Sequence, residues 1–199
     1  MAEKFELPKR AMAIFAHPDD ADFGCSATMA LFAEMGVHTI YCLLTSGNKG
    51  THDPKMSPTR LARMREKEQR AAGAELGVKD FVFLRHDDGE LEVSMKLRGE
   101  VCRAIREMKP DLVLTQDPWR PYQIHPDHRV PRVLLFGTTE PNIWFDVSRT
   151  LDKKIAALKS HTSQIRNPAL LDRMRQWAAT TGRAWGLEAA EAFRYLELG

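Results

Sequence analysis

The sequence predicts a single α/β domain in which a mainly parallel sheet carries helices on both faces. Three observations predict it. Short apolar runs alternate with longer stretches of helical pattern along the chain. The helical stretches stop at Gly36, at Gly77 and at the Lys109-Pro110 pair, all of which end helices readily. No repeat, low-complexity tract or interdomain linker divides the 199 residues, so residues 1–199 read as one domain. Strand–helix–strand alternation of this kind gives a Rossmann-like arrangement, because parallel neighbours need a crossover and helices supply it.

In chain order, Ala11–Ala16, Thr39–Thr45, Asp80–Leu84 and Asp111–Thr115 read as short buried strands. Helices are expected between them at 22–35, 58–76 and 95–108. Ile143–Val147 is a fifth strand candidate. Helices over Leu151–His161 and Ala169–Ala179 follow, the first with Leu151, Ile155 and Leu158 on one face. The longest polar loops are Gly47–Pro58 and Gln116–Ile124. Both leave the C-terminal edges of predicted strands, where open α/β sheets bind their ligands.

The composition is that of an ordinary globular chain, 43% hydrophobic and 28% charged, with a formal charge of +2. That balance argues against nucleic acid as a partner, which calls for a concentrated basic face. The richest basic stretch, Arg60 to Arg70, also carries Glu66 and Glu68. Cys25, Cys42 and Cys102 stand singly among apolar residues without CxxC spacing, which predicts buried thiols in a reducing compartment. The first ten residues lack an apolar signal core, and no run approaches the ~20 apolar residues of a membrane span. A cytoplasmic protein is the expectation.

Two segments carry the chemistry. Ala16-His17-Pro18-Asp19-Asp20 directly follows the first predicted strand, and His125-Pro126-Asp127-His128 follows the fourth after a short loop. If the first turn is tight, His17 and Asp20 can share one ion, with Asp19 beside it. In the second segment His125 and His128 are spaced i, i+3; if Pro126 opens a helix they project in similar directions. One can then bind metal while the other faces a substrate. Imidazole and carboxylate suit zinc and similar divalent ions. The absence of a Cys-rich set favours an open catalytic site over a closed structural one. Taken singly, Asp19-Asp20 also suits a helix cap and the second segment a turn. Their joint placement at strand ends is what favours a shared site.

The chain resembles the PIG-L/LmbE family of zinc-dependent de-N-acetylases. The resemblance lies in the AHPDD and HPDH segments and continues in order through most of the chain. It includes Thr45-Ser46-Gly47, Arg65 and Glu68, Leu76-Gly77-Val78, Asp88-Gly89, Pro110-Asp111-Leu112-Val113, Lys154 and His161-Thr162-Ser163-Gln164. It ends near Glu191-Ala192-Phe193-Arg194. The resemblance implies that His17, Asp20 and His128 bind zinc, or another divalent metal, and that Asp19 is the general base. It implies that His125 assists the tetrahedral intermediate or the leaving amine, and that Asp127 orients or charges His125. A homo-oligomer is also consistent with it. One departure stands out: many members carry Glu after the two aspartates, where this chain has Ala21 and then Asp22.

Around this centre, Arg65 and Glu68 are candidates to contact a polyol substrate. Leu61, Met64, Glu68 and Ala71 fall on one helical stripe, with Arg65 in reach of Glu68 as a partner. Asp88, in the turn after the third strand, is a candidate hydroxyl-binding residue. Trp119, Arg120 and Tyr122 precede the second cluster and can stack on or hydrogen-bond a sugar, or simply anchor the loop. Among these, Arg120 is the substrate-binding candidate. His161, Ser163 and Gln164 are expected to bond helix-end carbonyls, and His38, His52 and His86 to be incidental.

The implied reaction is hydrolysis of an N-acetyl group from a small N-acetylated sugar conjugate. Two alternatives remain open: a metal hydrolase acting on another bond, such as a phosphoester, or a non-catalytic sugar-binding module on the same fold. No GxGxxG follows a strand, which argues against a dinucleotide cofactor.

Overall fold

The computed structural model describes residues 5–117, 131–165 and 167–197. Among these residues seven strands form one sheet: β1 (Arg10–Phe15), β2 (His38–Thr45), β3 (Asp80–His86), β4 (Leu112–Gln116), β5 (Arg132–Phe136), β6 (Ile143–Asp146) and β7 (Ala190–Glu197). Six helices join them: α1 (Asp20–Gly24), α2 (Ser26–Glu34), α3 (Pro58–Leu76), α4 (Met95–Met108), α5 (Leu151–Ser160) and α6 (Ala169–Arg183). The spatial order of strands is β3-β2-β1-β4-β5-β7-β6. Strands β1 to β5 pair in parallel, and β7 runs antiparallel to both β5 and β6.

Alternation along the strands explains the layers. Ala11, Ala13 and Phe15 of β1 point to one face with Tyr41 and Leu43 of β2, where α1, α2 and α3 cover them. Met12 and Ile14 point to the other face with Ile40, Cys42 and Leu44, against Val101, Ala104 and Ile105 of α4. Residues apolar on both sides of the strand are what a parallel sheet covered twice requires. The helices over 58–76 and 95–108 form as the sequence predicts, each opened by a serine, Ser57 or Ser94, whose hydroxyl accepts a backbone N–H of the first turn. Cys25 and Cys42 are buried and Cys102 is partly so; burial pushes the Cys42 thiol up to about 12, and that of Cys25 well above its ordinary value. No helix among the described residues is long and apolar enough to cross a membrane.

Three features depart from the sequence reading. The helix expected over 22–35 is two helices, α1 starting at Asp20, with a break at Cys25 (φ −144°, ψ 11°). Strands β5 and β7 were not anticipated. Strand β5 is five residues long and follows directly on a polar, proline-containing segment. Strand β7 mixes charges into its pattern, and its place is fixed by pairing with β5 and β6 far away in sequence. The buried stripe of α3 is Leu61, Arg65, Glu68, Gln69 and Ala72, with Ala71 exposed. The helix is therefore rotated from the apolar-count stripe, because polar side chains occupy its inner face.

This topology fixes where a ligand can go. The chain runs outward from β1 to β2 and β3, then returns to lay β4 on the other side of β1. The crevice between the C-terminal ends of β1 and β4 is the topological switch point.

The far half of the core is held by aromatic packing. Phe145 is fully buried and meets Phe5, Phe32 and Phe193 edge-on at ring-centroid distances of 5.1, 5.5 and 5.6 Å. Phe145→Ala is expected to cost about 3–5 kcal/mol, read as a lowered denaturation midpoint with an unchanged urea m-value.

Candidate active site

The site begins where β1 enters the switch-point crevice. His17 through Asp20 turn tightly there: the Asp20 amide donates to the His17 carbonyl at 3.2 Å, and the His17 amide donates to Asp20 Oδ2 at 2.8 Å. The turn brings His17 Nδ1 within 3.2 Å of Asp20 Oδ2, while His17 Nε2 lies 2.9 Å from Asp88 Oδ1. Two carboxylates so placed hold the imidazole pKa above its ordinary value, the Asp20 hydrogen bond contributing most and partial burial opposing it. Asp88 is itself set by Asn48, whose amide oxygen accepts the Asp88 N–H at 2.8 Å while its NH₂ donates to Asp87 at 2.7 Å. Asp88 therefore stands against His17 Nε2 and fixes the orientation of the ring.

Asp19 is the strained residue of the turn. It adopts φ 94°, a region that non-glycine residues enter at a cost of about 1–3 kcal/mol. Its amide donates to Gln69 Oε1 at 2.8 Å, and its carboxylate pairs with Arg65 Nη2 at 3.2 Å. Burial pushes the Asp19 carboxyl up to about 6; neighbouring Asp20 and Asp22 add to the rise, and Arg65 and His161 oppose it. A carboxyl near neutrality is matched to accepting a proton and giving it back.

Arg65 and Glu68 lie on the buried face of α3 and turn to different partners. Arg65 donates to the Pro18 carbonyl at 2.5 Å and the Gly47 carbonyl at 3.1 Å, bracing the turn from beneath. Gly47 has φ +60°, and a Cβ there would stand 2.2 Å from Arg65 Nη1, so only glycine allows this approach. Glu68 accepts from the Thr162 hydroxyl, the Ser163 amide and the Ser163 hydroxyl at 2.8, 2.8 and 2.5 Å, tying α3 to the segment after α5. In these contacts Arg65 positions Asp19, and Glu68 positions the 162–163 turn.

The sequence reading missed a buried hub at Asp22. Its carboxylate accepts from Tyr41 Oη at 3.1 Å and from both Gln69 Nε2 and His161 Nε2 at 2.7 Å. Asp22 and His161 are fully buried. Gln69 thus links the Asp19 amide to Asp22, and His161 serves this hub instead of the helix end it was expected to cap. The available signal was Gln69 beside Glu68 on a helix face that otherwise turns inward. His38 and His86, expected to be incidental, pair with Asp80 and Glu100, each at 2.6 Å.

His125, Asp127, His128 and Arg120, with Trp119 and Tyr122, lie outside the described residues. Strand β4 leads towards them: it ends at Gln116 at the switch point, and the following Asp117 amide donates to the Phe136 carbonyl at 3.1 Å. Among the described residues no group of three or more His, Cys, Asp or Glu could hold a metal by itself. His17 and Asp20 offer one nitrogen and one carboxylate, a donor pair that fits a divalent ion needing further ligands.

A family model described as GlcNAc-PI de-N-acetylase, PIG-L, matches residues 12–135, a span that holds both the AHPDD and the HPDH segments. The chain belongs to the PIG-L family. A PIG-L relative, the diacetylchitobiose deacetylase of Thermococcus kodakarensis, is 31% identical over 193 residues, covering 81% of this chain and 72% of its own. The solved structure of N,N'-diacetylchitobiose deacetylase from Pyrococcus horikoshii, in complex with an inhibitor, superposes with a TM-score of 0.85 at 28% identity. That match covers 98% of this chain and 88% of the other. The fold also matches a 4-carboxy-2-hydroxymuconate hydratase from Pseudomonas putida, with a TM-score of 0.81 at 20% identity over 96% of this chain and 97% of the other. The PIG-L architecture is therefore shared with an enzyme named for another reaction, and side chains must decide the chemistry.

The raised Asp19 value has a consequence for the metal-free protein. With a folded value near 6 against an ordinary 3.8, the folded state holds this proton more tightly than the unfolded chain. The associated stability is fully present below about pH 4 and is lost as pH rises through 6, amounting to at most about 3 kcal/mol at pH 7. Metal-free Asp19→Asn is therefore expected to be more stable than the wild type at pH 7, with the difference closing near pH 4. Chemical denaturation at the two pH values checks it; a variant less stable than wild type at pH 7 would count against the buried-carboxylate account.

Proposed function

We propose that this protein is a zinc-dependent hydrolase that removes the acetyl group from a small N-acetylated sugar or sugar conjugate. The observation that carries the reading is the turn after β1. There His17 and Asp20 converge as a donor pair and Asp19, largely buried beside them, has its carboxyl pushed up to about 6. The relatives named for diacetylchitobiose supply the substrate class. His128, from the segment after β4, is proposed as the third ligand, so that three protein ligands leave a position open for chemistry.

A divalent metal held by these residues supplies Lewis acidity at the acetyl carbonyl and makes water a better nucleophile at neutral pH. The protein does the rest. Asp19 accepts the proton of the attacking water and can return it to the leaving amine, both steps being served by a pKa near neutrality. Arg65, held to the Pro18 carbonyl, pairs with the Asp19 carboxylate and restrains it. Asp88 holds Nε2 of His17, leaving Nδ1 as the nitrogen that faces Asp20. His125, charged or oriented by Asp127, donates to the developing oxyanion or to the leaving nitrogen. The products are acetate and a free amino sugar.

Acetate release from a panel of N-acetyl sugars, diacetylchitobiose among them, tests the reading on protein of measured metal content. Asp19→Asn is expected to retain metal and to lower kcat by ~10²-fold or more. Near-normal turnover in that variant would remove Asp19 as the base. His128→Ala is expected to lose metal while staying folded, because one of three ligands is gone. His125→Ala is expected to keep its metal while losing turnover and altering the alkaline limb of the pH–rate profile, since that limb reports the acid. Loss of metal from His125→Ala comparable with that from His128→Ala would make His125 a ligand instead.

A further inference from the structure

Between α1 and α2 the helical hydrogen-bond ladder is interrupted inside the protein. Cys25, Ala27 and Thr28 at the break are fully buried, so water cannot satisfy the backbone groups that the interruption frees. Two charged side chains from distant elements do so. Lys154 of α5 donates from Nζ to the Phe23 carbonyl of α1 at 2.7 Å. Glu191 of β7 accepts the Thr28 amide at 2.9 Å, the Thr28 hydroxyl at 2.6 Å and, more weakly, the Ala27 amide at 3.4 Å. Lys154 and Glu191 are themselves paired at 2.8 Å, with side chains only 2% and 5% exposed. The cation lies at the carbonyl end of one helix and the carboxylate at the amide end of the next, as the helix dipoles prefer.

We infer that Lys154 and Glu191 are positioning residues, a buried clasp that sets α1 against α2 and thereby places Asp19 and Asp20. Stability alone explains the pair poorly, because a buried ion pair is often no better for stability than apolar side chains of similar volume. The clasp grips the backbone at Phe23, three residues beyond Asp20, and the Phe23 amide in turn donates to the Asp19 carbonyl at 3.0 Å. Its other hold is at Thr28, so the break is bridged from both sides. An α1 of five residues has no stability of its own, and its direction must come from outside. The consequence for metal binding rests on the proposed His17–Asp20 ligand pair; the consequence for the backbone does not.

The experiment is the paired substitution Lys154→Met with Glu191→Gln, which removes both charges and keeps an acceptor for Thr28. Two readouts are taken on metal-free protein: titration with Zn²⁺ alone, and amide hydrogen exchange by mass spectrometry. The clasp predicts faster exchange concentrated in residues 17–28. It also predicts Zn²⁺ binding weakened by about tenfold or more, the usual scale for losing support behind a ligand. Lys154→Met alone is expected to be worse than the double variant, since it strands the Glu191 carboxylate. A folded double variant with wild-type exchange over 17–28 and wild-type Zn²⁺ affinity would overturn the inference. So would faster exchange spread evenly over the sheet, the mark of general destabilisation. Should the double variant fail to fold, Thr28→Val removes one bond to Glu191 and is judged by the same two outcomes. Wild-type protein that binds no Zn²⁺ would sink the metal site, and the exchange pattern would still decide the clasp.

Discussion

The structure depends on holding one very short helix still. Helix α1 begins at a left-handed Asp19 and ends at a break, and between them lie Asp20 and Asp22. Asp19 makes no side-chain cap at its start, and its end closes through one backbone bond, from the Cys25 amide to the Ala21 carbonyl. What fixes it and the turn before it comes from α3, β2, α5 and the segment after α5: Arg65 and Gln69, Tyr41, Lys154 and His161 converge there, and Glu191 of β7 acts through Lys154. The sheet brings these elements into reach, and the buried polar contacts convert that proximity into a fixed turn. This explains why α3 presents Arg65, Glu68 and Gln69 inward although its pattern would ordinarily place such residues in water.

Much of this could be read from the sequence, and the part that could not has a physical reason. The strands β1 to β4 and helices α3 and α4 are visible because their signals are local: apolar runs, periodicity and terminators within the segment. The AHPDD turn is visible because its residue types have few other uses at a strand end. The hub at Asp22 is not, because its partners Tyr41, Gln69 and His161 are 19 to 139 residues away. Lys154 and Glu191 belonged to the recognised resemblance, but nothing in the sequence says they meet 37 residues apart across a helix break. The same distance problem hid β7, whose hydrogen bonds run to β5 and β6. Arg65 and Glu68 illustrate an intermediate case. Glu68 falls on the stripe that the periodicity marks and Arg65 does not, yet both face inward, and the pairing expected from i, i+3 spacing gives way to partners on other elements, Asp19 for the arginine and the 162–163 turn for the glutamate.

The Ala21-Asp22 pair, where the resemblance leads one to expect glutamate first, gains a physical account. Ala21 is fully buried in the core cluster against the sheet, where a lone charge would be costly. The carboxylate sits one residue later, where Tyr41, Gln69 and His161 already point. Adjacent positions on a helix are rotated by about 100°, so an acid at residue 21 would not face these partners. The local sequence and its buried partners have to be read together.

A shared architecture with an enzyme named as a hydratase shows how little the sheet by itself dictates. The switch-point crevice offers a place; the side chains of the turn decide what happens there. In this chain the turn keeps a carboxyl largely buried, strained and near neutrality, three conditions that each oppose stability and that no folding requirement explains. Asp19 could be relieved of all three by becoming exposed. Instead Arg65, Gln69 and the Asp22 hub are spent on keeping it where it is. Strain maintained by that much surrounding structure is what the role proposed for Asp19 as a base requires.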